Sequence, residues 1–212
     1  MATARAVLVD ALGTLVELEP PWEHLARELG RPADARLVGA VRAEMDYYRA
    51  HSHEGRDERS LAALRERCAG VLAEALGEPV DAATLMRAIR FRPYPDARPA
   101  LMELRARGLP VVCVSNWDCS LPGVLARAGL DDGLLDGVVT SAGAGARKPD
   151  PAIFRPALEL ARCAPAEAVY VGDTPEEDGA AARAAGIRFL LLDRSGGGDI
   201  AALGEIVEHL AA

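Results

Sequence analysis

Four short polar clusters, far apart in the chain, carry residue types that can do chemistry together. They are Asp10-Ala11-Leu12-Gly13-Thr14, Ser115-Asn116-Trp117-Asp118, Arg147-Lys148-Pro149-Asp150-Pro151 and Gly172-Asp173-Thr174-Pro175-Glu176-Glu177-Asp178. Two or three carboxylates, a hydroxyl and one ammonium gathered in one place suit a divalent cation and a phosphoryl group. Taken singly, each has a plainer reading, since Asp173, Asp178 and Ser115 serve equally well as helix caps or turn formers. Lys148 stands out on composition, because the chain has 23 arginines and a single lysine. A compact ammonium suits a cramped anionic site in which a planar guanidinium would be too wide; the alternative is a solvated loop residue.

These clusters come together only if the intervening elements bring them to one edge. Short β-branched runs, Arg5 to Asp10, Pro110 to Ser115, Asp136 to Thr140, Ala168 to Asp173 and Arg188 to Asp193, each end in polar residues. Helical patterns such as Pro151 to Arg162 and Glu176 to Ala185 separate the last four, so each connection can cross over and keep the strands parallel. The result is a doubly wound α/β pattern, in which ligands bind beyond the carboxyl ends of the strands. About a hundred residues separate the first two strands, far more than a crossover needs. Within them Pro20 to about Arg90 reads as roughly four helices, with apolar spacing at Leu61, Leu64, Cys68, Val71, Leu72 and Leu76 and stops at Gly30, Gly55 and Gly77. The Pro-rich segment Arg92 to Pro99 resists helix and reads as the return linker. The expected organisation is a core of residues 1–16 and 95–212 and a small all-helical domain of residues 17–94.

With half its 212 residues apolar, 26% charged and a formal charge of -8, the chain reads as a globular domain that a nucleic-acid backbone would repel. The longest uncharged stretches, Gly108 to Trp117 and Gly137 to Ala146, are too short to span a membrane. The apolar run Ala6 to Val9 is cut by Asp10, far short of a signal-peptide core, so a cytoplasmic location is expected. Cys68, Cys113, Cys119 and Cys163 form no C-x-x-C pair and suggest neither a zinc site nor disulfides. Gly196 to Gly198 reads as a flexible turn. The sequence is silent on oligomeric state.

The set resembles the haloacid dehalogenase superfamily of hydrolases, with a helical cap inserted after the first strand. That family carries a D-x-D-x-T motif, a Ser or Thr ending the second strand, a lysine, and an acidic pair written GDxxxD or GDxxxxD. All four occur here in order, the lysine within KPDPAIF and the acidic pair within VGDTPEEDGAAARAAG. The resemblance implies a five-stranded Rossmann-like core under a helical cap. It also implies that Asp10 is the nucleophile, that Thr14 and Ser115 hydrogen-bond the transferring group, and that Lys148 neutralises its charge. Mg2+ would be held by Asp10, the carbonyl of Leu12 and Asp173, with Asp178 behind them or bound through water. Asn116 counts among the substrate-binding candidates. In the cap, Tyr48, Arg49 and His51 are candidates for substrate contact, against the alternative that His51 and His53 simply complement a helix end.

One departure bears on activity. Leu12 stands where family phosphatases have the second Asp, which protonates the leaving group, and family dehalogenases likewise place a bulky residue there. Asp173 argues the other way, since dehalogenases of the family work without metal and have a small neutral residue at this point. The cap has no lysine, which removes the family's Schiff-base phosphonate chemistry. The reading is a Mg2+-dependent phosphatase of small phosphorylated metabolites. A metal-independent 2-haloacid dehalogenase is the first alternative, and a phosphoryl-binding relative with impaired turnover the second.

Overall fold

A fully buried parallel strand reads as an unbroken β-branched run, and its alternate residues face opposite layers. The computed structural model describes residues 4–210. The chain enters as β1 (Ala6–Val9) and β2 (Val16–Leu18), then forms α1 (Pro21–Glu28), α2 (Ala35–His51), α3 (Glu58–Leu76) and α4 (Ala82–Ala88). It returns through β3 (Phe91–Pro93) to α5 (Ala97–Ala106), β4 (Val111–Ser115), α6 (Leu121–Arg127), β5 (Gly137–Thr140), α7 (Ser141–Ala144) and α8 (Phe154–Ala161). Strand β6 (Ala168–Gly172), α9 (Ala180–Ala185) and β7 (Arg188–Leu191) follow. Five strands pair in parallel in the order β5-β4-β1-β6-β7, the expected doubly wound α/β sheet.

The two faces of the sheet bury alternate residues of the same strands. Val7, Val9, Val111, Cys113, Val169 and Val171 pack against α5 and α6, with the C-terminal segment closing that layer. Ala6, Leu8, Val112, Val114, Ala168 and Tyr170 pack against α8 and α9. Because β1 is central, β4 and β6 flank it on both sides, and the crevice beyond their carboxyl ends is a topological switch point.

Helices α1 to α4 have an apolar core of their own, including Leu25, Leu37, Leu64, Leu72 and Leu85. The sequence stops operate as expected. Asp57 and Ser60 form a capping box at the start of α3, and Gly77 ends it in the left-handed region at φ 67°. The return segment departs from expectation. Arg92 and Pro93 belong to β3, which pairs with β2 as a short antiparallel ribbon, and Ala97 to Pro99 open α5. A proline costs little in a first helical turn, where its missing N–H has no partner to lose. The last crossovers also start differently: Pro151–Ile153 is a 3-10 turn before α8, and Pro175–Gly179 is a π-helical turn before α9.

Candidate active site

The Asp10 N–H still donates to the Val171 carbonyl at 2.9 Å, so the side chain leaves the sheet at its carboxyl edge. The turn that follows is pinned by the Ala11 carbonyl, which accepts from the N–H groups of Leu15 and Val16 at 2.8 and 2.9 Å. Gly13 in that turn has φ +81°, and a Cβ there would lie 1.9 Å from an Asp173 carboxylate oxygen. Only glycine meets both conditions.

Lys148 is 3% exposed and reaches under this turn. Its Nζ donates to Asp10 Oδ1 and to Asp178 Oδ1, each at 2.6 Å, and to the Tyr170 hydroxyl at 2.8 Å. The three donors of an ammonium are thereby used. Asp178 Oδ1 also accepts from the Tyr170 hydroxyl at 2.7 Å, and its Oδ2 accepts from the Thr174 N–H at 3.0 Å. The π-helical turn makes that placement possible, and Gly172 leaves room for it, since a Cβ there would lie 2.4 Å from Asp178 Oδ2.

Carboxylate oxygens of Asp10, Asp173 and Asp178 lie within 4.8 Å of one another. Burial pushes the Asp10 carboxyl up, Lys148 draws it down, and Asp178 and Asp173 add repulsion, leaving it at about 7. The Asp173 carboxyl is raised as well, by burial and then by Asp178. Burial opposes the charge on Lys148, but Asp10 and Asp178 outweigh it and hold the ammonium above its usual range. The group fits a divalent cation: the carboxylates converge, their repulsion lacks full compensation, and Asp173 stands at the rim where a metal could enter. Both oxygens of Asp178 already accept protein hydrogen bonds, which suits the position behind the metal rather than in contact with it.

The crevice above these groups holds about 1000 Å³ and is lined by Asp10, Leu12, Ser115, Lys148 and Asp173 on the core side. Ser115 is 3% exposed, and its hydroxyl has no partner among the described residues. Leu12, at 37% exposed, offers only an apolar side chain to the space beside Asp10. Tyr48 and Arg49 line the crevice from α2.

Three sequence expectations need correction. Thr14 does not line the crevice: the tight turn tucks it inside, fully buried, with its Oγ1 unpartnered among the described residues. Asn116 lines the crevice but has spent its amide on the lysine loop, accepting from the Lys148 N–H at 2.8 Å and donating to the Lys148 carbonyl at 3.0 Å and to Glu177 at 2.9 Å. It positions Lys148 and has no free amide for a substrate. His51 is turned back on its own helix, with Nδ1 2.7 Å from the Tyr47 carbonyl and its ring stacked on Tyr47, and it does not reach the crevice.

Tyr170, hidden inside an apolar strand, is not singled out by the sequence, and Glu177 stands in a run of acids without a role of its own. Asp118 was seen but given no role; it is 3% exposed and accepts from the Tyr48 hydroxyl at 2.8 Å, tying α2 to the loop after β4. Gly55 seals the same junction, its carbonyl accepting from the Cys119 N–H at 2.8 Å. Arg147 adds a third tie through the Arg49 carbonyl at 3.0 Å.

Residues 4–186 match the family model described as haloacid dehalogenase-like hydrolase. A phosphoserine phosphatase of Thermus thermophilus is 37% identical over 131 residues, covering 58% of this chain and 51% of the relative. The chain spans roughly two-fifths to a half of the length of the curated relatives it matches. Among solved structures, a HAD phosphatase from Thermococcus onnurineus superposes with a TM-score of 0.68 at 25% identity, covering 97% of each chain. An L-2-haloacid dehalogenase from Xanthobacter autotrophicus superposes with a TM-score of 0.69 at 23% identity, again over 97% of each, which is a likeness of fold. By the family match over most of its length, and by an aspartate, lysine and acidic pair assembled on one sheet edge, the chain belongs to the haloacid dehalogenase-like hydrolases.

Proposed function

We propose that the protein is a Mg2+-dependent phosphatase of small phosphorylated metabolites, with residues 17–94 acting as a cap over a core of residues 1–16 and 95–212. The observation that carries this reading is Asp173, a second carboxylate beside Asp10 in a partly buried crevice, which makes sense when a cation and a phosphate arrive together. Asp10 and Asp173 would hold the metal with the Leu12 carbonyl. Bound Mg2+ would neutralise phosphate charge and polarise the phosphoryl oxygens.

The chain's own residues supply the rest. Lys148 holds Asp10 Oδ1, while Oδ2 accepts no hydrogen bond from the described residues and is free to attack phosphorus. The P–O bond to the leaving group breaks as the Asp10–phosphorus bond forms, and water then hydrolyses the aspartyl-phosphate. Ser115 would donate to a phosphoryl oxygen. Asp178, Tyr170 and Asn116 keep Lys148 in position, and the leaving oxygen receives no proton from residue 12.

Leu12 favours one rival, attack of Asp10 on a carbon bearing halide. A panel of phosphate monoesters and 2-haloacids, each assayed with Mg2+ and with chelator, decides between them. Phosphate release that needs Mg2+ and disappears in Asp10→Asn supports the phosphatase. Halide release unaffected by chelator would replace it with the dehalogenase.

A further inference from the structure

Glu44 occupies a position that helix periodicity reserves for an apolar side chain. The buried face of α2 is Leu37, Ala40, Val41 and Glu44, the i, i+3, i+4, i+7 stripe of a core-facing helix. The Glu44 residue is only 5% exposed. Among the described residues it forms no ion pair, and the donor beside it is the Cys68 thiol, which is weak. An ionised carboxylate buried without a partner is costly, and desolvation accordingly raises its pKa. A charge at such a position is tolerable only where something else compensates it.

Its surroundings indicate what that is. Glu44 and Cys68 line the same crevice as Asp10, Ser115 and Lys148. Tyr48, one turn along α2, already donates to Asp118 and is not available. Arg65 and Arg127 also line the crevice, but neither pairs with Glu44 and both keep solvent contact. The two walls of the crevice therefore differ in what they bury. The core wall offers a hydroxyl and a cation site for a phosphate, beside the charge of Lys148, and the wall built by the inserted helices carries Arg49 and Arg65 with solvent contact and one buried, unpaired carboxylate, Glu44.

We propose that Glu44 is a specificity residue for the end of the substrate remote from the phosphate, and that it pairs with an ammonium. The substrate class is then a phosphate monoester carrying a primary amine. A hydroxyl could donate a hydrogen bond to Glu44 but would leave its buried charge uncompensated, whereas an ammonium does both. The inference rests on the phosphatase reading for its anionic end.

The test uses a homologous series of ω-aminoalkyl phosphates, each paired with the alkyl phosphate that has methyl in place of ammonium. In the presence of Mg2+, kcat/KM should favour the amine by about tenfold or more at the chain length that spans the crevice, the range expected for a hydrogen bond to a charged group. Glu44→Gln should bring that ratio close to one. Should the glutamine variant fail to fold, Glu44→Met, which fits the apolar stripe, takes its place. Calorimetric binding of the same pairs to Asp10→Asn, with and without the Glu44 substitution, gives the same ratio without turnover. Failure of the phosphatase reading would appear as no hydrolysis of any ester, and the binding ratios would still decide the role of Glu44. No amine preference in the unsubstituted protein, or a preference that survives loss of the carboxylate, would overturn the proposal.

Discussion

Leu12 is the residue on which catalytic rate turns. Its side chain faces the crevice beside Asp10 and carries no proton. Positioned acid catalysis is worth about 10²- to 10⁴-fold, so phosphatase activity should be slow on alkyl esters and fastest on aryl esters, whose leaving groups depart unprotonated. Leu12→Asp should raise the alkyl-ester rate selectively; equal gains on both ester types, or none, would show that Leu12 is not a missing acid. In that case Glu17, which also lines the crevice and pairs with Arg92 at 2.8 Å, is the remaining donor near the turn, since His51 is turned away. Lys148 leads to a second expectation. With its Nζ 2.6 Å from both Asp10 and Asp178, a longer planar guanidinium has no room, so Lys148→Arg should be as inactive as Lys148→Ala. Near-normal kinetics for the arginine variant would make the lysine dispensable. Tyr170→Phe removes one bond from this network while keeping the ring packed 4.7 Å from Phe154, and it should lower kcat about tenfold with little change in KM. Asp10, Lys148 and the acidic pair were legible in the sequence because their order along the chain is distinctive and Lys148 is the single lysine. Tyr170 was not, because a tyrosine in an apolar strand reads as core until its hydroxyl is seen facing a charge. Thr14 and Asn116 were misread because sequence position gives proximity to the site without giving the direction of the side chain.

At the scale of elements, the π-helical turn Pro175–Gly179 governs whether the acidic pair can work as a pair. An ordinary α-helical start would rotate residue 178 away from the sheet, and such turns recur at functional sites. Here the turn delivers Asp178 to Lys148 and packs it against Gly172, where a Cβ would come within 2.4 Å of a carboxylate oxygen. Gly172→Ala should therefore displace Asp178 and loosen Lys148. The expected result is a fall in kcat well beyond the change in thermal stability, read by comparing kinetics with melting temperature; a variant with intact kinetics would show that the glycine matters only for packing. The five parallel strands were legible because a buried parallel strand is a short, nearly continuous apolar run, rich in valine in β1, β4, β5 and β6 and in leucine in β7. So were the helix stops, since Gly77 and the Asp57–Ser60 capping box act locally. The β2–β3 ribbon was not: three-residue strands, one containing Pro93, carry no period, and their pairing is set by the approach of the two ends of the insertion. The π-helical turn escaped as well, because a single five-residue turn carries no period that a sequence pattern could show.

The whole molecule stores like charge on one sheet edge, and its stability should report this. No described helix is long and apolar enough to cross a membrane. In the metal-free protein the Asp10 carboxyl stands at about 7 and that of Asp173 is also raised, against an ordinary value of 3.8 for each. A carboxyl whose pKa is higher in the folded state favours folding while it is protonated. That contribution is fully present below the unfolded value and is lost as pH rises through the folded one. Carboxyls with lowered values, such as Asp34, Asp57 and Asp81 at helix starts, act in the opposite sense, but their effect is complete once the pH has passed the ordinary value of 3.8. Between about pH 5 and pH 8 the raised carboxyls set the slope, Asp10 first, with Asp173 and the buried Glu44 acting in the same sense. With chelator, the melting temperature should fall across that window. With Mg2+ it should fall less, because a cation favours the ionised carboxylates, so the gap between the two curves should widen toward pH 8. In a domain of this size each kcal/mol corresponds to about 2 to 4 °C, within reach of thermal-shift measurement. Asp173→Asn should close the gap, and it should lessen the slope of the chelator curve only in part, because burial still holds the Asp10 carboxyl up. If the metal-free protein melts at a temperature that rises with pH, the carboxylates are already compensated by the protein. If Mg2+ leaves the curve unchanged at pH 8, the acidic edge is not a cation site, and catalysis has to be rebuilt on Asp10 and Lys148 alone.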